Sequence, residues 1–150
     1  MSHRAALVAL AVLAIGCGPS EAERAARAAD SIVAIADSGG NVFRGTVNGS
    51  RVAIMVHDCK VFNLADPPRI DGHRPVILKP EFYPWPTACM RQSVEGDSAW
   101  VTVTLGRQGV GAGGCCATGG TYRSRDGRAW EREGAGGKWA RVGEDSTRAP

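Results

Sequence analysis

Cysteine and histidine are the residues of this chain best suited to chemistry, and their spacing sets what that chemistry could be. Cys59, Cys89, Cys115 and Cys116 lie in the body of the chain, with Cys17 near its start. Once Cys17 is set aside, an even number remains, which reads as two disulfides if the domain is exported to an oxidising compartment. Adjacent cysteines rarely bond each other, because the linking peptide must distort. Cys115 and Cys116 are therefore expected to reach separately to Cys59 and Cys89, in either pairing. The glycines at 111, 113, 114, 119 and 120 would let the backbone turn closely around such a junction. The alternative chemistry is a soft metal or thiol site built from His57, Cys59, Cys115 and Cys116, with His73 as a further ligand, suited to zinc or copper(I). A strand through His57-Asp58-Cys59 would put both ligands on one face, although no Cys-x-x-Cys pair accompanies them.

Two further constellations could bind a ligand without transforming it. In Glu81-Phe82-Tyr83-Pro84-Trp85-Pro86, three aromatics alternate with prolines, so the segment is no central strand. Phe82, Tyr83 and Trp85 either form a stiff recognition edge or cover an open end of the core. Arg123, Arg125 and Arg128 crowd one short stretch and could hold an anion, or could simply be solvated across strands. No Gly-x-Ser-x-Gly, no His-Glu-x-x-His and no evident carboxylate pair is present, and the Gly-rich stretch before Cys115 lacks the Gly-Lys-Ser/Thr ending of a phosphate loop. The expectation is a protein without catalytic residues and without a cofactor.

The N-terminus gives the address. Met1 to Arg4 carries one basic residue, an unbroken apolar run follows from Ala5 to Ile15, and Gly16-Cys17 closes it. This is the plan of a secretory signal peptide. Its eleven apolar residues span roughly 16 Å as a helix, about half the ~30 Å hydrocarbon thickness, too short for an ordinary transmembrane anchor. Leu13-Ala14-Ile15-Gly16-Cys17 resembles the lipobox of bacterial lipoproteins, with its leucine one position earlier than usual. The resemblance covers this segment alone. It implies a diacylglyceryl group on the Cys17 sulfur, cleavage between Gly16 and Cys17, and acylation of the new amine. Each buried methylene contributes about 0.8 kcal/mol, so two or three acyl chains make release from the membrane slow. Gly18, in place of aspartate after the cysteine, implies the outer membrane facing the periplasm ahead of the inner membrane.

These residues need elements to position them. Ser20 to Asp37 predicts a helix: Ser20 and Glu23 are spaced as a capping box, Gly39-Gly40 would end it, and Ala22, Ala25, Ala26, Ala29, Ile32, Val33 and Ala36 share a stripe. An alanine-rich stripe buries little area, so this helix is expected to be a tether that docks weakly. After Gly40 the period becomes two. Val42 to Val47 and Arg51 to His57 flank Asn48-Gly49-Ser50, a tight-hairpin signal. Further strands are predicted at Lys60 to Leu64, Pro75 to Lys79 and Ala99 to Leu105. Thr121 to Ser124 and Ala129 to Glu133 surround Asp126-Gly127, read as a second hairpin by the same logic, and Lys138 to Val142 completes a meander.

The fold class is therefore mainly β, a small antiparallel sheet or partly open barrel of about seven short strands preceded by one N-terminal helix. The organisation reads as a signal peptide at 1–16, a lipidated N-terminus and helical tether at 17–40, one disulfide-stapled β domain at 41–143 and a flexible tail at 144–150. Removing residues 1–16 leaves 17 basic and 15 acidic residues, a net charge of +2. That balance argues against a nucleic-acid partner and against a polybasic membrane patch. The expected role is a non-enzymatic binding or structural module, held on the membrane through its lipid and meeting an envelope protein or polymer; the alternative is metal or thiol-redox handling in the periplasm.

Overall fold

The computed structural model describes residues 18–67, 69, 73–111 and 115–143. The segment expected to be a signal peptide at 1–16, the expected lipidation position Cys17 and the expected tail at 144–150 lie outside the described residues. Helix α1 (Glu21–Ser38) begins where the capping box places it: the Ser20 hydroxyl accepts from the Glu23 amide at 3.2 Å, and the Glu23 carboxylate accepts from the Ser20 amide at 2.7 Å. At the other end the Gly39 amide bonds the Ile35 carbonyl, and Gly40, at φ +72°, turns the chain out. Ala29 and Ala36 are buried against the strands, while Ile32 and Ile35 stay exposed, so the alanine stripe docks over a narrow seam. Among the described residues, no helix is long and apolar enough to cross a membrane.

Among the described residues nine strands follow, all antiparallel, in two sheets. The first is the meander β1 (Val42–Val47), β2 (Ser50–His57), β3 (Lys60–Asn63) and β4 (Val76–Leu78); the second is the meander β5 (Thr87–Gly96), β6 (Val101–Gly109), β7 (Thr118–Ser124), β8 (Trp130–Glu133) and β9 (Trp139–Arg141). The mainly β expectation is met by two open sheets, with no closed barrel. Alternation decides what is buried. Val52, Ile54 and Val56 of β2 face Val94, Val101, Val103, Leu105, Tyr122 and Trp130 of the second sheet in one core, whereas Met55 and His57 turn towards α1.

The turns explain where the expected strands hold and where they shift. Asn48 and Gly49, at φ +47° and +78°, form the two-residue β1–β2 turn, and the Asn48 amide bonds the Ser98 carbonyl, pinning that turn to the β5–β6 turn. Asp126-Gly127 behaves differently. Ser124 pairs with Trp130, so the β7–β8 loop has five residues, and only Gly127 (φ +72°) takes a positive φ there. Asp126 organises that loop: one carboxylate oxygen accepts from the amides of Arg128 and Ala129 at 2.8 and 2.9 Å and from the Ser124 hydroxyl at 3.0 Å. β5 was not anticipated, and nine strands replace the seven.

Partial burial alone would push the Asp126 carboxyl up, but the amides of Arg128 and Ala129, with the Ser124 hydroxyl, outweigh it and hold the group below 3.8. A depressed folded value contributes stability above the unfolded value, and that stability is lost as pH falls through the folded one. Asp126→Ala is therefore expected to cost about 1 kcal/mol at neutral pH, a solvent-exposed group being worth no more. In thermal melts across pH, the gap between variant and wild type should narrow as pH falls through the lowered carboxyl value. A gap that persists at acid pH would assign the loop's stability elsewhere.

Candidate functional site

Cys89, Arg91, Gly106 and Arg107 lie on the long β5–β6 hairpin, against which Cys59, Cys115 and Cys116 pack. Its ladder runs from Gly96↔Val101 to Thr87↔Gly109 and is interrupted once, where Cys89 pairs with Arg107 and Arg91 with Gly106, leaving Met90 as the extra residue of a bulge. Met90 stands out into solvent at this bulge. The hairpin's open end is closed by the Val110 amide donating to the Pro86 carbonyl at 2.9 Å.

The cysteines pair in a way the sequence reading did not expect. Cys59 bonds Cys89, and Cys115 bonds Cys116, where each of the adjacent cysteines was expected to reach separately to Cys59 or Cys89. The physical reason begins at Cys59. It belongs to no strand: Asp58 and Cys59, at φ +48° and +52°, are the two central residues of the β2–β3 turn, with His57 paired to Lys60. That turn swings Cys59 into the core, where it is fully buried and its amide donates to the Gln92 side chain at 3.0 Å. Cys89 on β5 is then its near neighbour. Arg107 fastens the same turn to β6, donating to the Asp58 carbonyl at 3.0 Å with its guanidinium 3.5 Å from the Asp58 carboxylate. The Lys60 ammonium, hydrogen-bonded to Asp58 at 2.9 Å, holds that carboxyl below its ordinary range.

Cys115 and Cys116 lie on the other side of β6. A Cβ built on Gly106 would fall against the Cys116 sulfur and within 3.4 Å of both the Cys115 sulfur and the Arg91 Cβ. The Arg91 guanidinium reaches the Cys116 sulfur at 4.0 Å. On the core side, the Cys59 sulfur lies 3.5 Å from the carbonyl oxygen of the same Gly106. The two bridges thus flank one residue of one strand.

The ligand set His57, Cys59, Cys115 and Cys116 is accordingly divided. His57 is not on the face of Cys59, because the turn reverses the chain between them. It lines a groove of about 350 Å³ beneath α1, together with His73, Met55, Phe62, Val76 and Ile32. Among the described residues, no three His, Cys, Asp or Glu side chains are grouped to hold a metal ion.

The aromatic segment and the arginines also resolve. Phe82 and Trp85 are 89% and 68% exposed, so they do not cover an end of the core; Tyr83 is half-buried. Val110, beside the closing Pro86 bond, is 70% exposed. The three arginines do not converge on one anion site. Arg123 lies between the rings of Trp100 and Trp139, 4.0 Å from each centroid, with its Nε 2.8 Å from Glu131. Arg125 also lies over Trp100, 4.4 Å from its centroid, and Arg128 pairs with Asp66 at 3.0 Å.

A cleft of about 640 Å³ separates the segment after β4 from β7 to β9, lined among others by Lys79, Glu81, Tyr122, Arg132 and Arg141. Arg132 spans it, paired with Glu81 and donating to the Gly119 carbonyl at 2.8 Å. Burial there raises the Tyr122 phenol above its usual value.

Several of these residues carried no signal in the sequence. Arg91, Gly106 and Met90 sit on β5 and its partner, and a bulge removes the alternation that marks a strand. Trp100 and Trp139 are single aromatics whose shared arginine is apparent only once β6, β7 and β9 are aligned. No protein-family model matches this chain, and no curated protein or solved structure matches it.

Proposed function

We propose that this chain is a bacterial lipoprotein, anchored through Cys17 at the cell envelope, whose β domain is a non-enzymatic module that binds an envelope protein or polymer through the segment from Phe82 to Pro86. The observation that carries the binding reading is the exposure of Phe82 and Trp85 on a connection stiffened by Pro80, Pro84 and Pro86, next to exposed Val110. Large apolar side chains grouped in solvent mark interaction surfaces, whereas isolated ones are commonplace. Prolines lower the entropy that such a segment loses when a partner orders it, so a few aromatic contacts suffice for affinity. The anchor reading rests on the apolar run from Ala5 to Ile15 and on Gly16-Cys17.

One experiment addresses both parts. The full chain is expressed in a bacterial host, the membrane fraction is cross-linked, and partners are recovered with wild type, Cys17→Ser and Phe82→Ala/Trp85→Ala. Wild type is expected to carry lipid and to sediment with membranes, Cys17→Ser to carry none, and the double aromatic variant to keep lipid and fold while losing at least about tenfold in recovery. A full-length, lipid-free wild type in the cytosol would overturn the anchor. Unchanged recovery with the aromatic variant would overturn the binding edge.

A further inference from the structure

We propose that Cys115 and Cys116 form a redox-active pair that exchanges with an external dithiol, while Cys59–Cys89 is a permanent structural bridge. Three observations separate the bridges. Cys115 is exposed and Cys116 partly so, whereas Cys59 is fully buried in the core. The Arg91 guanidinium stands 4.0 Å from the Cys116 sulfur, whereas the Cys59 sulfur meets the carbonyls of Arg91 and Gly106. Cys115–Cys116 joins neighbours in sequence, so opening it releases almost no chain, while Cys59–Cys89 closes a separation of 30 residues. One bridge can therefore cycle without loosening the fold that the other secures.

The chemistry follows from those positions. A thiolate of the incoming dithiol attacks the accessible Cys115 sulfur; a new S–S bond forms, the Cys115–Cys116 bond breaks, and its electron pair leaves with Cys116 as a thiolate beside the Arg91 cation. A neighbouring cation favours that leaving group by stabilising the thiolate. The second thiol of the partner then attacks its own sulfur in the mixed disulfide and releases Cys115. Two electrons and two protons pass to the pair, and the partner departs as a disulfide. Gly106 makes room for the Cys116 sulfur, since any side chain there would occupy its place. The β6 backbone stands between the two bridges, which keeps Cys116 from exchanging with Cys59.

Arg91 is a positioning residue in this scheme, and its test is a rate. The oxidised full chain is treated with dithiothreitol at graded concentration, quenched with iodoacetamide at intervals, and mapped by mass spectrometry, for wild type, Arg91→Gln and Arg91→Lys. In wild type, Cys115 and Cys116 are expected to be alkylated together at least about tenfold faster than Cys59 and Cys89, with the thermal midpoint unchanged while only the first pair is open. Arg91→Gln should slow their reduction about three- to tenfold at equal stability, and Arg91→Lys should restore most of the rate. Equal alkylation of all four cysteines, or a disulfide-linked peptide joining Cys115 or Cys116 to Cys59 or Cys89, would overturn the proposal. An Arg91→Gln rate equal to wild type would remove Arg91 from it.

Discussion

Replacing Cys59 and Cys89 together with alanine is expected to cost about 3 to 4 kcal/mol of folding stability, the chain entropy regained when a cross-link across 30 residues is removed. The bridge ties the β2–β3 turn of one sheet to β5 of the other, so its loss acts on the relation between the sheets as well as on the unfolded chain. Cys59 also occupies a turn position with φ +52°, which a residue with a Cβ adopts only at some cost. With the bridge gone, the turn keeps the Gln92 hydrogen bond to Cys59 and the contacts of Arg107 and Lys60 with Asp58. The expected thermal shift is on the order of 10 °C downwards, read by circular dichroism on the purified protein. Cys115→Ser/Cys116→Ser provides the contrast: a cross-link between neighbours constrains little chain, so its midpoint should move by no more than about 3 °C. A larger loss from the second variant than from the first would reverse the roles assigned to the two bridges.

That contrast bears on how much of the molecule was legible beforehand. Where local rules act alone, the sequence was sufficient. Ser20 and Glu23 place the start of α1, Asn48-Gly49 makes the β1–β2 turn, and the alternation through Val101, Val103 and Leu105 marks a strand with its core face. Where a longer-range contact overrides a local rule, it was not. The break between His57 and Lys60 was read from the sequence, but not its geometry: Asp58-Cys59 is a poor match to the Asn-Gly type of turn, and the buried bridge and Gln92 hold Cys59 in a conformation its own side chain disfavours. β5 escaped for a related reason. Its one buried side chain is Val94, because it is an edge strand, and the bulge at Met90 shifts the alternation partway along. Of the candidate site, the aromatic segment was legible as residues and not as an exposed surface. The division of four cysteines into a buried and an accessible bridge depended on β5 and on the positive-φ geometry of that turn, neither of which has a local signature.

Gly119→Ala is expected to be the most damaging single methyl group that can be added to the second sheet. Gly119 pairs with Gly106 across β6 and β7 at φ +127°, where residues with a Cβ are strained by roughly 1 to 3 kcal/mol. A Cβ on its backbone would also fall on the carbonyl of Leu105, with the Gly106 Cα at 3.0 Å. Both obstacles are backbone in a paired strand and cannot swing aside as a side chain would, so overpacking adds a further cost of about 1 to 3 kcal/mol. The sum, about 2 to 6 kcal/mol, is a large share of the stability of a domain this size. Its effect would reach the cleft too, since the Gly119 carbonyl accepts from Arg132, whose other branch pairs with Glu81. Gly134→Ala is the control: its φ is −103°, and an added Cβ meets only the Lys138 carbonyl at 3.5 Å, an ordinary contact. In urea denaturation Gly134→Ala should stay within about 0.5 kcal/mol of wild type while Gly119→Ala loses most of its folded baseline. Equal midpoints for the two variants would mean that β7 does not approach β6 this closely, and that the backbone framing Gly106 and the accessible bridge is arranged otherwise.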